Sequence, residues 1–446
     1  MERYWLKFKE SIWFVPSLYG LLSVILAVIF SAIDLILEDF LLESVPHVIL
    51  TTVDLAQIIL GGLSAALLTM TTFTFSTILV VLTTYSSQFS PRTMKNFVRD
   101  PMVWRVLGIF MGGFIYTTLS LLFMQESING ETVISSFVGV LYAMVCLGFF
   151  AAFIYHIAQN IQVNKLIEKL AIEGEEAVAG YEKLLKRENL TTNIDGKWSA
   201  HPIAHPIIAG QDGYIQLFDI IQLVSLAKKY DGRIEIEFYI GDFVPSGSTV
   251  VTLYLKESTE IEENPEKLFT IGRERDTRQD PVFAIQKMVE VSLRSISPGI
   301  NDPNTAIHNI HQLGRLLGRY SQLPKADLIF MDKENKQRVK LSLHRFDEVL
   351  YHTFYQLSHF GQGDVSVLGA MTDSLINAAQ LAPIQSKEDI WKIQLYIIES
   401  MDKNEIQSLD RQFYQRKIDL LAKLAAKETI NLENLVNKST QRANLL

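Results

Sequence analysis

Between Asp54 and Arg92 the chain reads LAQIILGGLSAALLTMTTFTFSTILVVLTTYSSQFSP (residues 55–91), with no charged side chain in the run. As one helix it would extend roughly 55 Å, whereas a bilayer's hydrocarbon core is only ~30 Å thick. The run is therefore read as a membrane span. Either its helix starts after Gly61-Gly62, or it continues past the inner leaflet toward Pro91. Three more apolar stretches lie around it, so the spans are Ile12–Ile33, Leu55–Thr84, Val106–Met124 and Val133–Ala158.

The charges between these spans are one-sided. Arg3, Lys7 and Lys9 precede the first span, and Arg92, Lys95, Arg99 and Arg105 follow the second. Lys165 and Lys169 follow the fourth. The first connection holds Glu38, Asp39, Glu43, His47 and Asp54, and the third holds Glu126 and Glu131, with no Lys or Arg in either. The positive-inside rule then places both termini in the cytoplasm. Trp5, Trp13, Tyr19, Trp104, Tyr116 and Tyr155 fall near span ends, as interfacial anchors do.

Composition narrows the function classes. The 446 residues carry a net charge of −8, which argues against a nucleic-acid partner. The one cysteine, Cys146, cannot form an intrachain disulfide. The first apolar run is too long for a signal-peptide core and is read as a retained span. Asp34 and His156 sit at span ends, and no Asp, Glu, Lys or Arg lies at mid-membrane. That pattern counts against an ion-coupled carrier.

The hydroxyls of the second span are patterned. Thr69, Thr72, Ser76, Thr83, Ser87 and Ser90 share a narrow arc of a helix, which Gly62 and Ala65 extend outward. Leu79 and Val80 flank the arc where it skips a turn. Two readings compete. The stripe is a close helix–helix contact, or it lines an aqueous path with Leu79 and Val80 as an apolar constriction. Four spans enclose little room, so a path would need several copies around a symmetry axis. Thr69, Thr72, Ser76, Leu79, Val80, Thr83 and Ser87 are the candidate pore-lining residues. Arg92, Lys95, Arg99 and Arg105 are the candidate basic ring at the inner mouth, suited to anions or lipid headgroups.

The rest of the chain divides into a connecting helix (159–196), a β-rich subdomain (197–268) and a helical subdomain (269–446). Ile220–Tyr230 has helical periodicity and Arg233–Ile240 alternates as a half-buried strand. Gly241-Asp242-Phe243-Val244-Pro245-Ser246-Gly247 then turns into a strand over Thr249–Leu255. This turn resembles those of small biotinyl/lipoyl-like sandwich modules, without an attachment lysine, so no cofactor is expected. From Asp280 onward the chain reads as helical, and the charged segment from Lys387 to Leu446 as an oligomerisation or regulatory tail.

Two helix starts look alike. In Asp280-Pro281 and Asp302-Pro303 the Asp fits the N-cap and the Pro the first helical position. They cap a helical hairpin, or they converge on an anion assisted by Arg273, Arg275, Arg278 and Arg294. Asp280, Arg294, Asn301 and Asp302 are the candidate anion or ligand site. His308 with His311, and the scattered His344, His352 and His359, do not make a zinc set. No named catalytic motif is present, so an enzyme is not expected.

Two strings carry a resemblance. The first is Phe75-Ser76-Thr77-Ile78 through Ser87-Gln88-Phe89-Ser90-Pro91-Arg92, with Asn96-Phe97 and Arg99-Asp100. The second is Gln279-Asp280-Pro281 with Ser297-Pro298-Gly299-Ile300-Asn301-Asp302-Pro303-Asn304-Thr305-Ala306. Over nearly the whole chain, up to about residue 400, the sequence resembles domain of unknown function 2254, a family of bacterial multi-pass membrane proteins. The resemblance implies a bacterial inner-membrane location and no particular activity.

The expected architecture is an α-helical membrane domain of four spans (1–158), followed by an α+β cytoplasmic domain. That domain has a small β-sandwich-like segment and a helical C-terminal part. The expected function is a homo-oligomeric channel-like protein in a lipid bilayer, passing a small ion or answering an anionic ligand. The alternative is a membrane-anchored sensor or scaffold without transport. A membrane enzyme acting on phosphates ranks below both.

Overall fold

The computed structural model describes residues 14–36, 46, 49–88, 100–124, 132–160, 162–186, 189–194, 198, 201–261, 267–277, 279–401 and 407–432. The chain forms two compact units, Met1–Gln162 and Val163–Leu446.

The first unit holds helices α1 (Phe14–Ile36), α2 (Val53–Gln88), α3 (Pro101–Phe123) and α4 (Ser135–Asn160). Each contains a stretch long and apolar enough to cross a membrane. The third begins earlier than its apolar run, because Asp100 accepts the Met102 N–H at 2.9 Å and Pro101 supplies the first turn. Asp100 also meets His156 Nε2 at 2.8 Å, tying the start of α3 to the end of α4.

α3 is the hub. Of its apolar window 56% is buried, against 28%, 22% and 17% for α1, α2 and α4. Glycines let its neighbours approach closely. A Cβ on Gly112 would lie 2.5 Å from Ser23 Oγ and 2.7 Å from the Tyr142 hydroxyl, and one on Gly108 would lie 3.1 Å from Pro16 Cα. In lipid, where apolar burial does not drive helix association, such small-residue faces set the packing. The Tyr142 hydroxyl donates to Ile109 O (3.1 Å), and its ring stacks on Tyr116, whose hydroxyl donates to Ser135 O (2.8 Å).

Asp34 is 1% exposed and accepts the N–H groups of Ile134 (2.7 Å) and Ser135 (3.3 Å). The carboxylate closing α1 thus caps α4, where the helix dipole favours negative charge. Beside it, β1 (Thr51–Thr52) and β2 (Thr132–Val133) pair antiparallel over a cluster of Val53, Ala56, Leu60, Met124 and Val133.

The second unit is mixed α/β with C-terminal helices. Helix α5 (Val163–Leu185) starts anew after α4. It is followed by β3 (Leu190–Thr191), β4 (Ile203–Ile208), β5 (Gly213–Phe218) and α6 (Ile220–Lys229). Next come β6 (Arg233–Ile236), β7 (Phe243–Val244), β8 (Thr249–Leu255) and β9 (Phe269–Gly272), then α7 (Pro281–Ser295) and α8 (Pro303–Tyr320). The strands β10 (Leu328–Met331) and β11 (Gln337–Leu341) precede α9 (Phe346–Phe360), α10 (Val365–Leu381), α11 (Ile384–Ser400) and α12 (Ser408–Ala425).

One sheet runs β3-β10-β11-β6-β8-β4 and another β7-β5-β9. The segment after Asp280 is therefore not wholly helical. The β10/β11 hairpin enters the larger sheet through a parallel pairing of β11 with β6, Val339 opposite Ile234. Strands from residues 197–268 and from residues 269–446 thus lie side by side in that sheet. Arg338, 5% exposed, anchors the hairpin by reaching Asp332 (2.7 Å), Gly232 O (3.0 Å) and Asp231 (3.0 Å).

α5 lays Leu166, Ile167, Leu170, Gly174, Val178 and Tyr181 inward, and its Glu175 and Glu182 pair with Arg319 of α8. The described part of the expected tail is built in. Tyr414 of α12 is 1% exposed and accepts from Thr372 (3.0 Å) and Gln394 (3.1 Å).

Candidate functional site

Among the described residues of the first unit, the stripe on α2 lies on the side of the helix opposite its buried face. Val53, Ala56, Leu60, Leu67, Thr74, Ile78 and Val81 are the buried positions, whereas Gly62, Ala65, Thr69, Thr72, Ser76, Leu79, Val80 and Thr83 are exposed. At about 100° per residue the two arcs are centred roughly 170° apart, on opposite sides of the helix. Val80 is 65% exposed, and nothing lies within 4 Å of a Cβ built on Gly61 or Gly62. The threonine hydroxyls donate to carbonyls one turn back, Thr69 to Ala65 (2.8 Å), Thr72 to Leu68 (3.0 Å) and Thr83 to Leu79 (2.9 Å). They are satisfied within the helix. The Ser87 side chain, and Arg92, Lys95 and Arg99, lie outside the described residues. Arg105 is exposed on the first turn of α3.

In the second unit the candidate residues separate. Asp302 accepts from the Thr305 N–H (3.1 Å) and hydroxyl (2.6 Å), and its own N–H reaches Ser295 O (2.8 Å) at the end of α7. Asn309 reaches back to Ser292 (2.8 Å), and Tyr320 at the end of α8 lies in one cleft with Asp280. The hairpin is thus antiparallel, and the two helix starts sit at its opposite ends, about 22 Å apart by the length of α7. They do not converge. Asn301 and Arg294 are exposed at the far end. The repeated Asp-Pro string encodes the same cap twice, which does not bring the two starts together.

Asp280 is different. It is 2% exposed; Oδ1 accepts the Phe283 N–H (2.9 Å) and Oδ2 receives Arg275 through Nε (2.8 Å) and a terminal nitrogen (2.6 Å). Arg275 lies over the Phe283 ring and donates to Gln286 (2.6 Å). Gly241, at φ +95°, packs on this pair, where a Cβ would sit 2.2 Å from Asp280 Oδ2. Burial raises the Asp280 pKa, and the Arg275 charge opposes that rise.

The cleft beside Asp280 is lined by Tyr181, Tyr239, Tyr320, Ser342 and His344, with a volume of about 270 Å³ including its open mouth. It lies at the carboxyl ends of the parallel strands β6 and β11, beside the starts of α7 and α9. The Tyr181 hydroxyl donates to Gln279 O (2.8 Å) and that of Tyr320 to His344 O (2.8 Å). The His344 ring stacks on Tyr239 at 4.4 Å, and its buried Nε2 has no hydrogen-bond partner. Burial drives the Tyr320 pKa well up.

Of the sequence candidates only Asp280 lies in this cleft. The Gly241-Asp242 turn was a usable signal for its floor. The tyrosines and His344 come from four separate segments with no spacing to connect them. Among the described residues no group of three or more His, Cys, Asp or Glu is disposed to hold a metal ion.

A family model described as predicted membrane protein (DUF2254) matches residues 9–377. Uncharacterized proteins of Mycobacterium tuberculosis and Mycobacterium bovis are 26% identical over 336 residues, which is 73% of this chain and 64% of each relative. The chain thus spans less than two thirds of those relatives' length. No solved structure matches it.

Proposed function

Because the chain belongs to the DUF2254 family of predicted membrane proteins, we propose that it acts in a bilayer as a homo-oligomer whose α2 stripes face one another around an axis. In this reading the stripe from Thr69 to Thr83 surrounds a narrow path for a small ion, Leu79 and Val80 constrict it, and the second unit regulates it. Arg105, with Arg92, Lys95 and Arg99, stands at the inner mouth. The membrane is a bacterial inner membrane with both termini in the cytoplasm, as the Lys/Arg distribution favours.

The observation carrying this reading is that Gly62, Ala65, Thr69, Thr72, Ser76 and Thr83 of α2 are exposed, on the side of the helix opposite its buried arc. A lone copy would turn that face to lipid, where small residues gain nothing; close contact between copies gives it a role. A second reading rests on the threonine bonds to carbonyls one turn back. Hydroxyls satisfied in that way need no water, which favours copies packed without a lumen. The protein is then a membrane-anchored sensor or scaffold.

The test is the mass of the detergent-purified complex by light scattering, with bilayer recordings of wild type and Val80→Asp. Four or more copies and a conductance altered by Val80→Asp support the path. An oligomer that does not conduct, and that Val80→Asp disrupts, supports the scaffold. A monomer refutes both arrangements.

A further inference from the structure

In the first unit, at the end of α3 away from Arg105, oxygens from three helices come together. Asp34 closes α1, Tyr116 and Ser120 lie in the second half of α3, and Ser135 opens α4. None of the four is more than 1% exposed. Contacts link them in series: Asp34 accepts the Ser135 N–H, Tyr116 donates to Ser135 O, and Ser120 Oγ adjoins the Tyr116 hydroxyl. We propose that this pocket binds one sodium ion, held by the Asp34 carboxylate and the hydroxyl oxygens of Ser135, Tyr116 and Ser120. The ion staples α1, α3 and α4 together.

Charge is the first support. Asp34 is capped by two backbone N–H groups, and the start of α4 supplies the equivalent of about half a positive charge. The remainder is a carboxylate charge out of water, which is costly unless a cation meets it. Among the described residues no cationic side chain pairs with Asp34. The sequence has no Lys or Arg from Glu10 to Pro91 or from Val106 to Asn164. Of the two histidines in those runs, His156 is engaged by Asp100 at the opposite end, and His47 lies outside the described residues. The compensating charge is therefore taken from solution. The connections flanking this end carry Glu38, Asp39, Glu43, Asp54, Glu126 and Glu131, a field that concentrates cations.

The hydroxyls are the second support, independent of the first. Ser135 Oγ adjoins the Asp34 carboxylate and Ser120 Oγ adjoins the Tyr116 hydroxyl, yet neither serine oxygen makes a hydrogen bond. Tyr116 gives its proton to Ser135 O and keeps its lone pairs. Buried polar atoms without partners are costly, and oxygen lone pairs beside a carboxylate are the ligands of a hard cation. The set holds no thiolate or imidazole, so it does not suit a transition metal. A divalent ion would leave surplus positive charge against the positive end of α4, whereas a monovalent one balances the carboxylate.

The site is read within α1, α3 and α4, so it stands or falls apart from any path along α2. The test is hydrogen exchange of the full chain in a non-ionic detergent, at fixed pH and ionic strength, as sodium chloride replaces choline chloride. Peptides containing Ile134 and Ser135 report. Above half-saturation, each tenfold rise in sodium should slow their exchange by up to about tenfold, because opening releases one ion. Asp34→Asn keeps an oxygen acceptor for the α4 entry but no charge, and should abolish the dependence. Ser135→Ala keeps the carboxylate and both N–H groups. It should raise the sodium concentration needed for half-saturation, and it carries the test where Asp34→Asn does not fold. Wild-type exchange that is the same in sodium and choline overturns the proposal, as does a sodium dependence left unchanged by either substitution.

Discussion

Asp280→Ala tests the start of α7 most directly. The carboxylate is 1% exposed and Arg275 15%, so the pair is nearly out of water. Alanine removes the acceptor for the Phe283 N–H and leaves a guanidinium held by Gln286 against the Phe283 ring. Losing a cap costs about 1 kcal/mol, and orphaning one member of a buried pair costs about 3–5 kcal/mol. The two overlap at a single side chain, so the larger figure sets the total. At ~1.4 kcal/mol per decade, exchange of the first-turn amides should accelerate by roughly two to three and a half orders of magnitude. Replacing both residues, as in Arg275→Met with Asp280→Ala, should recover much of the loss, because no charge is then stranded. The assay is hydrogen exchange of the detergent-solubilised chain, comparing peptides of α7 with peptides of α12 as an internal reference. An Asp280→Ala protein whose α7 peptides exchange less than about tenfold faster would refute the assignment of the pair as a stabilising element.

Gly112→Val should force α3 away from α1 and α4. Its Cβ would begin 2.5 Å from Ser23 Oγ, so an overpacking cost of about 1–3 kcal/mol should appear as a lower thermal midpoint in detergent. Asp34→Ala leaves two N–H groups of the α4 entry without their acceptor, and charge-assisted bonds contribute about 1.5–3 kcal/mol. Asp34→Asn should restore part of the midpoint. Tyr414→Phe removes the oxygen shared by Thr372 and Gln394, at about 1–3 kcal/mol, visible as faster exchange in α12. Hydrogen bonds from Lys256 and Arg338 lower the Asp231 pKa to about 2. Its contribution to the β10/β11 hairpin is present above the unfolded carboxylate range and lost as pH falls toward 2. Asp231 is half exposed, so high salt should shrink the acid dependence and Asp231→Asn should remove it.

The four apolar helices were legible because a bilayer imposes length and composition together, which few other structures require. The caps were legible too, since Asp-Pro encodes a local conformation, and both Asp280 and Asp302 cap as read. Long-range pairing was not legible. The β10/β11 hairpin is short, lies between helices and joins β6 across about a hundred residues, so no local periodicity announces it. The two starts of the α7/α8 hairpin cap its opposite ends, and the alternative of one shared site stayed open in the sequence because similar strings carry no information about distance. Asp34 was placed correctly at the end of its span, but its partners at Ile134 and Ser135 are a hundred positions away.

The contrast between α3 and α2 bears most on function. Both helices carry small residues at helical spacing, and in lipid such a face marks close approach of another surface. On α3 the partner is within the chain: Gly108 meets α1, Gly112 meets α1 and α4, and Gly113 meets Tyr142 and Leu67. On α2 one arc (Ala56, Leu60, Leu67, Thr74, Ile78 and Val81) is already buried, and the exposed arc opposite it carries small residues from Gly62 and Ala65 onward. If that face met only lipid, exchanging its threonines and serine for leucine would be neutral or favourable. Thr69→Leu, Thr72→Leu and Ser76→Leu together should therefore leave the fold of one copy intact, since none of the three packs inward, yet lower the copy number. A triple variant of unchanged mass would show that the face has no partner, and neither the path nor the scaffold arrangement would survive it.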